Sequence, residues 1–185
     1  MTDVTAKKFR DTVVFPALTR IGLYSLTAEK LLMGTAAIES RFTLVTQLGG
    51  GPGRGVFQME PATFNWLLSG ILTDKNHADL RKSVFALAGT NKPVPNLLMV
   101  NALFAAAMAR VRYYVVPSPI PSTLEGQAYY WRKNYNGESI HGLTEADYIK
   151  RWNDLCAPLY GASHASSPPD TSGYPYTPLQ APIWV

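Results

Sequence analysis

The stretch from Asn96 to Val115, NLLMVNALFAAAMARVRYYV, constrains the rest of this chain more than any other. It is rich in Ala, Leu and Met, which favour helix. Its polar positions are too few to form a solvent-facing stripe. Small residues at Ala105, Ala106, Ala107 and Ala109 would let neighbouring elements approach closely. The pattern predicts one long buried central helix that needs other helices around it. Its most apolar part, Leu97 to Met108, carries Asn101 and is followed by Arg110 and Arg112. It falls short of the roughly 18 apolar residues of a membrane span. No other run comes closer, so no membrane span is expected.

The surrounding helices are legible in the periodicity. Lys7 to Tyr24 places Phe9, Val13, Val14, Leu18 and Ile21 near helical spacing, with Pro16 as a kink or break. Thr27 is a candidate cap for a helix over Ala28 to Ser40, with Leu31, Leu32, Thr35, Ile38 and Phe42 near one face. Pro61 suits the first turn of a helix reaching about Ile71. Asp74 or Asn76 starts the next, ending about Leu87. Pro117, Pro119 and Pro121 stop the central helix. Thr123 caps a helix through Lys133, and Thr144 caps another over Glu145 to Cys156. Thr144 and Asp147 have the spacing of a capping box. With no internal repeat and no strand meander, the expected fold is mainly α. One domain spans residues 1–157, followed by an extended tail over 158–185 that holds six Pro and the aromatics Tyr160, Tyr174, Tyr176 and Trp184. Such a tail cannot pack a core of its own. It suits lying along another surface: its own domain, a sister subunit or a different protein.

Charge and cysteine content narrow the function classes. A net charge of +4 is a mild bias toward anionic partners and does not choose among them. Basic residues form no stripe with interleaved aromatics apart from Tyr129 to Lys133, so nucleic acid is not an expected partner. Cys156 is alone, which removes intramolecular disulfides and cysteine metal clusters and makes it a buried hydrophobe. His77, His141 and His164 lack metal-ligand spacing and are read as surface residues. No metal or cofactor is expected. The run GGGPGRG has the glycine content of a phosphate loop, but no Gly-Lys-Ser/Thr follows it. Ser40 has no nucleophile-elbow context. The N-terminus MTDVTAKKFRD has no signal-peptide apolar region, so synthesis and folding in the cytosol are expected.

What remains is Glu39. It sits at the end of an apolar helix, where a partly desolvated carboxyl has a raised pKa and can act as a general acid. The alternative is a solvent-facing Glu at a helix end. Around it stand three motifs: Glu39-Ser40; Gly55-Val56-Phe57-Gln58 running into Met59-Glu60-Pro61-Ala62-Thr63; and Asn134-Tyr135-Asn136 after an aromatic helix. In order and spacing these resemble the lysozyme-like family of lytic transglycosylases and goose-type lysozymes, over roughly residues 25 to 155. The resemblance implies a lysozyme-like helical domain. Glu39 would protonate the β-1,4 glycosidic oxygen between N-acetylmuramic acid and N-acetylglucosamine and then act as base. The substrate's acetamido group would replace a second carboxylate. Gln58 and Asn136 would bind acetamido and nearby sugar groups, Tyr135 would hydrogen-bond and orient Glu39, and Ser40 and Phe57 would shape the cleft wall. The chain departs from the family in Asn134, where an Ala is usual, and in Gly137-Glu138-Ser139, where Gly-Pro-Gly is usual.

Several residues keep a structural reading beside the functional one. Phe57 and Met59 suit a core, Glu60 a helix N-terminus, and Tyr129, Tyr130 and Trp131 either a sugar-stacking platform or a packed amphipathic helix. Glu138 is a further candidate carboxylate. The loop from Leu48 to Gly55 is either a lid or a tight reversal. The functional expectation is a peptidoglycan-cleaving enzyme carried in a bacteriophage tail or baseplate. It would be made in the host cytoplasm, attached to other virion proteins through 158–185, and active in the periplasm or on the cell wall. The alternatives are a structural virion subunit of the same fold with little or no activity, and a non-catalytic glycan-binding module.

Overall fold

A computed structural model describes residues 2–43, 51–137 and 142–161. The chain is mainly α. Its first helical stretch is α1 (Thr2–Phe9), a wide π-helical turn (Arg10–Val14) and α2 (Phe15–Arg20). The expected effect of Pro16 is met by that turn. Proline has no N–H and its ring crowds the carbonyl one turn back, and a widened turn relieves both. Phe15 N–H accordingly reaches back to the Arg10 carbonyl.

Helix α3 (Leu26–Ser40) starts two residues earlier than Thr27 suggests. Ser25 is the cap: its backbone is extended and its Oγ accepts from Ala28 N–H at 3.1 Å. Thr27 only shares a hydroxyl contact with it, at 3.0 Å. Every residue from Leu31 to Ile38 is buried.

The predicted central helix is real but broken. It divides into α6 (Leu97–Val100) and α7 (Ala102–Tyr114) at Asn101. The Asn101 backbone is extended. Its Oδ1 caps α7 by accepting from Phe104 N–H at 3.0 Å, and its Nδ2 donates to the Leu87 carbonyl at 2.8 Å. A short amide that can bond nearby backbone competes with helix continuation. Phe104 to Ala109 are all buried, so α3 and α7 share the role expected of α7 alone.

The remaining helices are α4 (Pro61–Ser69), α5 (Ala78–Ala88, after a short turn at Lys75–His77 capped by Asp74), α8 (Leu124–Trp131), α9 (Glu145–Leu155) and α10 (Ala157–Tyr160). Thr123 and Thr144 cap α8 and α9 as expected, and the Thr144–Asp147 capping box is complete. Among the described residues no helix is long and apolar enough to cross a membrane. Cys156 is fully buried, which pushes its thiol pKa up. Of the residues expected in the tail, Pro158, Leu159 and Tyr160 are helical, and Leu159 and Tyr160 pack against the domain. Leu159 is buried, and Tyr160 stacks on Trp152 at 5.3 Å and donates to the buried Glu29 at 2.7 Å. Arg10 donates to the same Glu29 oxygen at 2.7 Å, so one buried carboxylate joins the π turn, α3 and α10. Residues 162–185 lie outside the described residues.

Helices α3 and α9 meet at Gly34. A Cβ there would come 2.0 Å from Tyr148 Oη and 2.3 Å from its Cζ. Tyr148 is fully buried against Trp131, so it has little room to retreat. Overpacking of this kind typically costs about 1–3 kcal/mol. Gly34→Ala should lower the unfolding free energy by that amount, seen as a lower urea midpoint with an unchanged slope. An unaltered midpoint would show that the two helices do not pack this closely.

Candidate active site

Glu39 lies in the last turn of α3. The helix ends just beyond it with Arg41 and Phe42 in the left-handed region, at φ 52° and 63°. Neither is glycine, and such backbone is tolerated only where surrounding packing imposes it. Phe42 is held by Phe9, ring centres 5.1 Å apart.

Protein surrounds the Glu39 carboxyl on most sides. Burial raises its pKa from 4.5 to about 7, and one hydrogen bond opposes that rise. The donor is Trp131 Nε1, 3.0 Å from Oε1. Trp131 ends α8, is fully buried, and packs on Tyr148 with ring centres 5.4 Å apart. Its indole is therefore fixed before any ligand arrives.

The carboxyl opens on a groove of about 290 Å³. One wall is the segment before α4 and its first turn, with Gln58, Met59, Glu60 and Thr63. The other is the end of α7 and the π-helical turn Arg132–Asn136, with Arg112, Lys133, Tyr135 and Asn136. The π turn directs Lys133, Tyr135 and Asn136 to one groove, a placement that helical spacing does not predict. Such turns are frequent at functional sites.

In its described part the glycine loop is a tight reversal. Arg54 and Met59 form an antiparallel bridge, with N–H···O distances of 3.0 and 3.1 Å in the two directions. Gly55 has φ +69°, and a Cβ there would lie 1.9 Å from the Leu98 carbonyl oxygen, so this position requires glycine. Gln58 sits in the left-handed region at φ 48°, and its Nε2 donates to the Gly55 carbonyl at 2.7 Å. The reversal thus carries Gln58 to the groove. Residues 44–50 of the loop lie outside the described residues.

The structure brings together Glu39, Gln58, Tyr135 and Asn136 and separates Ser40 and Phe57 from them. Ser40 is buried and its Oγ donates back to the Ala36 carbonyl at 3.2 Å. Phe57 is a core residue packed on Phe9 at 6.1 Å. Neither is among the described residues lining the groove, so the expectation that they shape its wall is corrected. Met59 is likewise buried, although it reaches the groove.

The role expected of Tyr135 is also corrected. Its hydroxyl donates to the Phe57 carbonyl at 2.9 Å, and Trp131 makes the bond to Glu39. Tyr135 stacks on Tyr113 at 5.2 Å, and Tyr113 stacks on Tyr130 at 5.7 Å. Burial, followed by the nearby Glu39 charge, holds the Tyr135 phenol pKa well above its ordinary value. Tyr135 stays neutral and ties the π turn to the glycine reversal.

Of the aromatic trio, Tyr130 and Trp131 are packed, and Tyr129 alone is exposed. His77 is partly buried against Tyr114, with its Nδ1 3.4 Å from Asp74. His141, His164 and Glu138 lie outside the described residues. No group of acidic, His or Cys side chains that could hold a metal occurs among the described residues. Sequence reading missed Arg112 and Lys133 as site residues, and it offered Trp131 as a sugar-stacking or packed aromatic, not as the donor to Glu39. Trp131 and Tyr135, four apart, were a usable signal, since that spacing puts both on one helical face. Comparison with protein-family models, curated proteins and solved structures finds no match for this chain.

A carboxyl that titrates near 7 in the fold and near 4.5 when unfolded opposes folding at high pH. The fold binds its proton more tightly, so the penalty is absent below about pH 4.5, grows as pH rises, and is complete above about 7. Glu39→Gln keeps the shape and removes the penalty. The variant should match wild type in thermal stability at pH 4 and exceed it by about 1–3 kcal/mol at pH 9, with residual solvent contact of the residue setting the lower bound. Equal stability at pH 9 would place the carboxylate in water.

Proposed function

We propose that this chain cleaves peptidoglycan at the β-1,4 bond between N-acetylmuramic acid and N-acetylglucosamine, with Glu39 as its single acid and base. The observation that carries this reading is a carboxyl raised to about 7 by burial where it lines an open groove. Near neutrality such a group holds a proton in much of the population and can give it up.

In the first step the Glu39 proton passes to the bridging oxygen as the bond from C1 to that oxygen breaks. The substrate's acetamido oxygen shares the positive charge developing at C1, so the usual second carboxylate is not needed. In the second step the Glu39 carboxylate takes a proton from the incoming hydroxyl as that oxygen bonds C1. If the hydroxyl is water, the product has a reducing end. If it is the sugar's own 6-hydroxyl, the product is a 1,6-anhydro end. Trp131 Nε1 stays on Oε1 throughout and steadies the anion between the steps. Gln58 and Asn136 present amides to the sugar, while Tyr135 and the tyrosine stack hold the wall in place.

The assay is muropeptide release from purified peptidoglycan, read by mass spectrometry. Wild type should release anhydro or reducing-end fragments, and Glu39→Gln should lose at least 10²-fold. No release by wild type, or equal release by the variant, overturns the reading. Activity should fall as pH rises through about 7, because the acid must be protonated. Trp131→Phe removes the bond that lowers the Glu39 pKa, so this alkaline limb should move upward. A limb that stays put would assign it to another group.

The setting proposed is a bacteriophage tail or baseplate, on the composition of the C-terminal segment. Because Tyr160 is bonded to Glu29, the informative truncation removes only residues 162–185. It should spare cleavage and thermal stability and abolish incorporation into particles; normal incorporation contradicts the attachment role. Those outcomes also separate this setting from an inactive structural subunit, which would be incorporated but would cut nothing.

A further inference from the structure

Two cations stand in the groove beyond Glu39. Arg112 lies in the last turn of α7, is half-buried, and lies over the Trp66 ring at 5.6 Å. Lys133 is exposed on the π turn, its Nζ 5.8 Å from the centre of the Tyr129 ring. Among the described residues neither makes an ion pair or a hydrogen bond, although both line the same groove as Glu60. An aromatic ring beneath each cation restrains its position without neutralising its charge. A guanidinium held this way presents a planar fork suited to a carboxylate. The charge of Arg112 reaches the Tyr135 phenol, whereas the Glu39 carboxyl responds only to burial and Trp131. Both cations line the groove onto which Glu39 opens, so both can meet a ligand there.

We propose that Arg112 and Lys133 form a subsite for a carboxylate carried by the glycan strand, so that the groove selects an anionic strand over a neutral one. This rests on the reading of the groove as a glycan-cleaving site. Muramic acid offers such a group in two forms. Its lactyl ether carboxylate is free on peptide-free strands, and on peptide-bearing strands that group is an amide and the peptide supplies other carboxylates. Both are met by the same pair of cations.

The test compares four probes: peptide-free strands, peptide-bearing strands, and each after conversion of carboxylates to methylamides. Binding is measured by calorimetry on Glu39→Gln, and cleavage on wild type. Methylamidation should weaken binding about ten-fold and raise KM with little change in kcat. Adding Arg112→Gln or Lys133→Gln should weaken binding of the native strand and reduce its advantage over the methylamide, in a protein whose thermal transition is unchanged. Lys133 is exposed, so Lys133→Gln serves if Arg112→Gln disturbs packing on Trp66. Tighter binding of peptide-free strands assigns the lactyl carboxylate, and tighter binding of peptide-bearing strands assigns a peptide carboxylate; either supports the subsite. Equal affinity for native and methylamidated strands overturns it, even when wild type cuts. Carboxylate-dependent binding without cleavage keeps the subsite and defeats the enzymatic reading. No binding and no cleavage defeats both.

Discussion

The hydrogen bond from Trp131 to Glu39 joins α8 to the end of α3 at the place where a carboxyl is kept from water. Either partner alone would be an awkward buried group. An unpaired indole N–H loses its hydration, and an unpaired carboxylate loses far more. Together they make a site that holds its proton near neutrality yet stabilises the anion when the proton leaves. Burial and the bond act in opposite directions on the pKa, and burial wins, which leaves the group near 7. The same two side chains therefore fix both the geometry and the protonation state on which general acid chemistry depends.

The fold around this pair is organised to keep it still. Trp131 is backed by Tyr148, and Tyr148 is pressed against Gly34 of α3, so the indole, α9 and α3 form one packed unit. The opposite wall is held by a different chain of contacts. Thr35 on α3 meets the Tyr113 hydroxyl at 2.8 Å, Tyr113 stacks on Tyr135, and Tyr135 bonds the Phe57 carbonyl of the glycine reversal. The groove thus lies between two rigid paths that both start from α3. Close packing of this kind places side chains reproducibly without large individual energies.

Much of this was legible in the sequence and some was not, for identifiable reasons. Apolar periodicity and caps located the helices, because the Thr123 and Thr144 caps act within one turn of their own residues. Asn101 was visible as an interruption, but that it would cap α7 and bond the Leu87 carbonyl depended on a residue fourteen positions earlier. Ser25 displaced Thr27 because backbone angles select the cap, and those are set by the turn before α3. In the site, the motif residues Glu39, Gln58, Tyr135 and Asn136 meet as their order suggested. Ser40 and Phe57 point into the core because neighbours in a motif point to different sides of the backbone. Trp131 was read as a sugar-stacking or a packed aromatic, because local pattern does not show that it reaches a residue 92 positions away. The buried Glu29, joined to Arg10 and Tyr160, escaped notice for the same reason.

The central question is whether Glu39 is a dry acid or an ordinary carboxylate. It can be asked without any substrate, by following the side-chain carboxyl ¹³C shift of each glutamate through a pH titration and assigning Glu39 from the resonance missing in Glu39→Gln. A dry carboxyl bonded to Trp131 gives a midpoint near 7. A midpoint near 4.5 would contradict that and remove the physical basis for assigning acid catalysis to this groove.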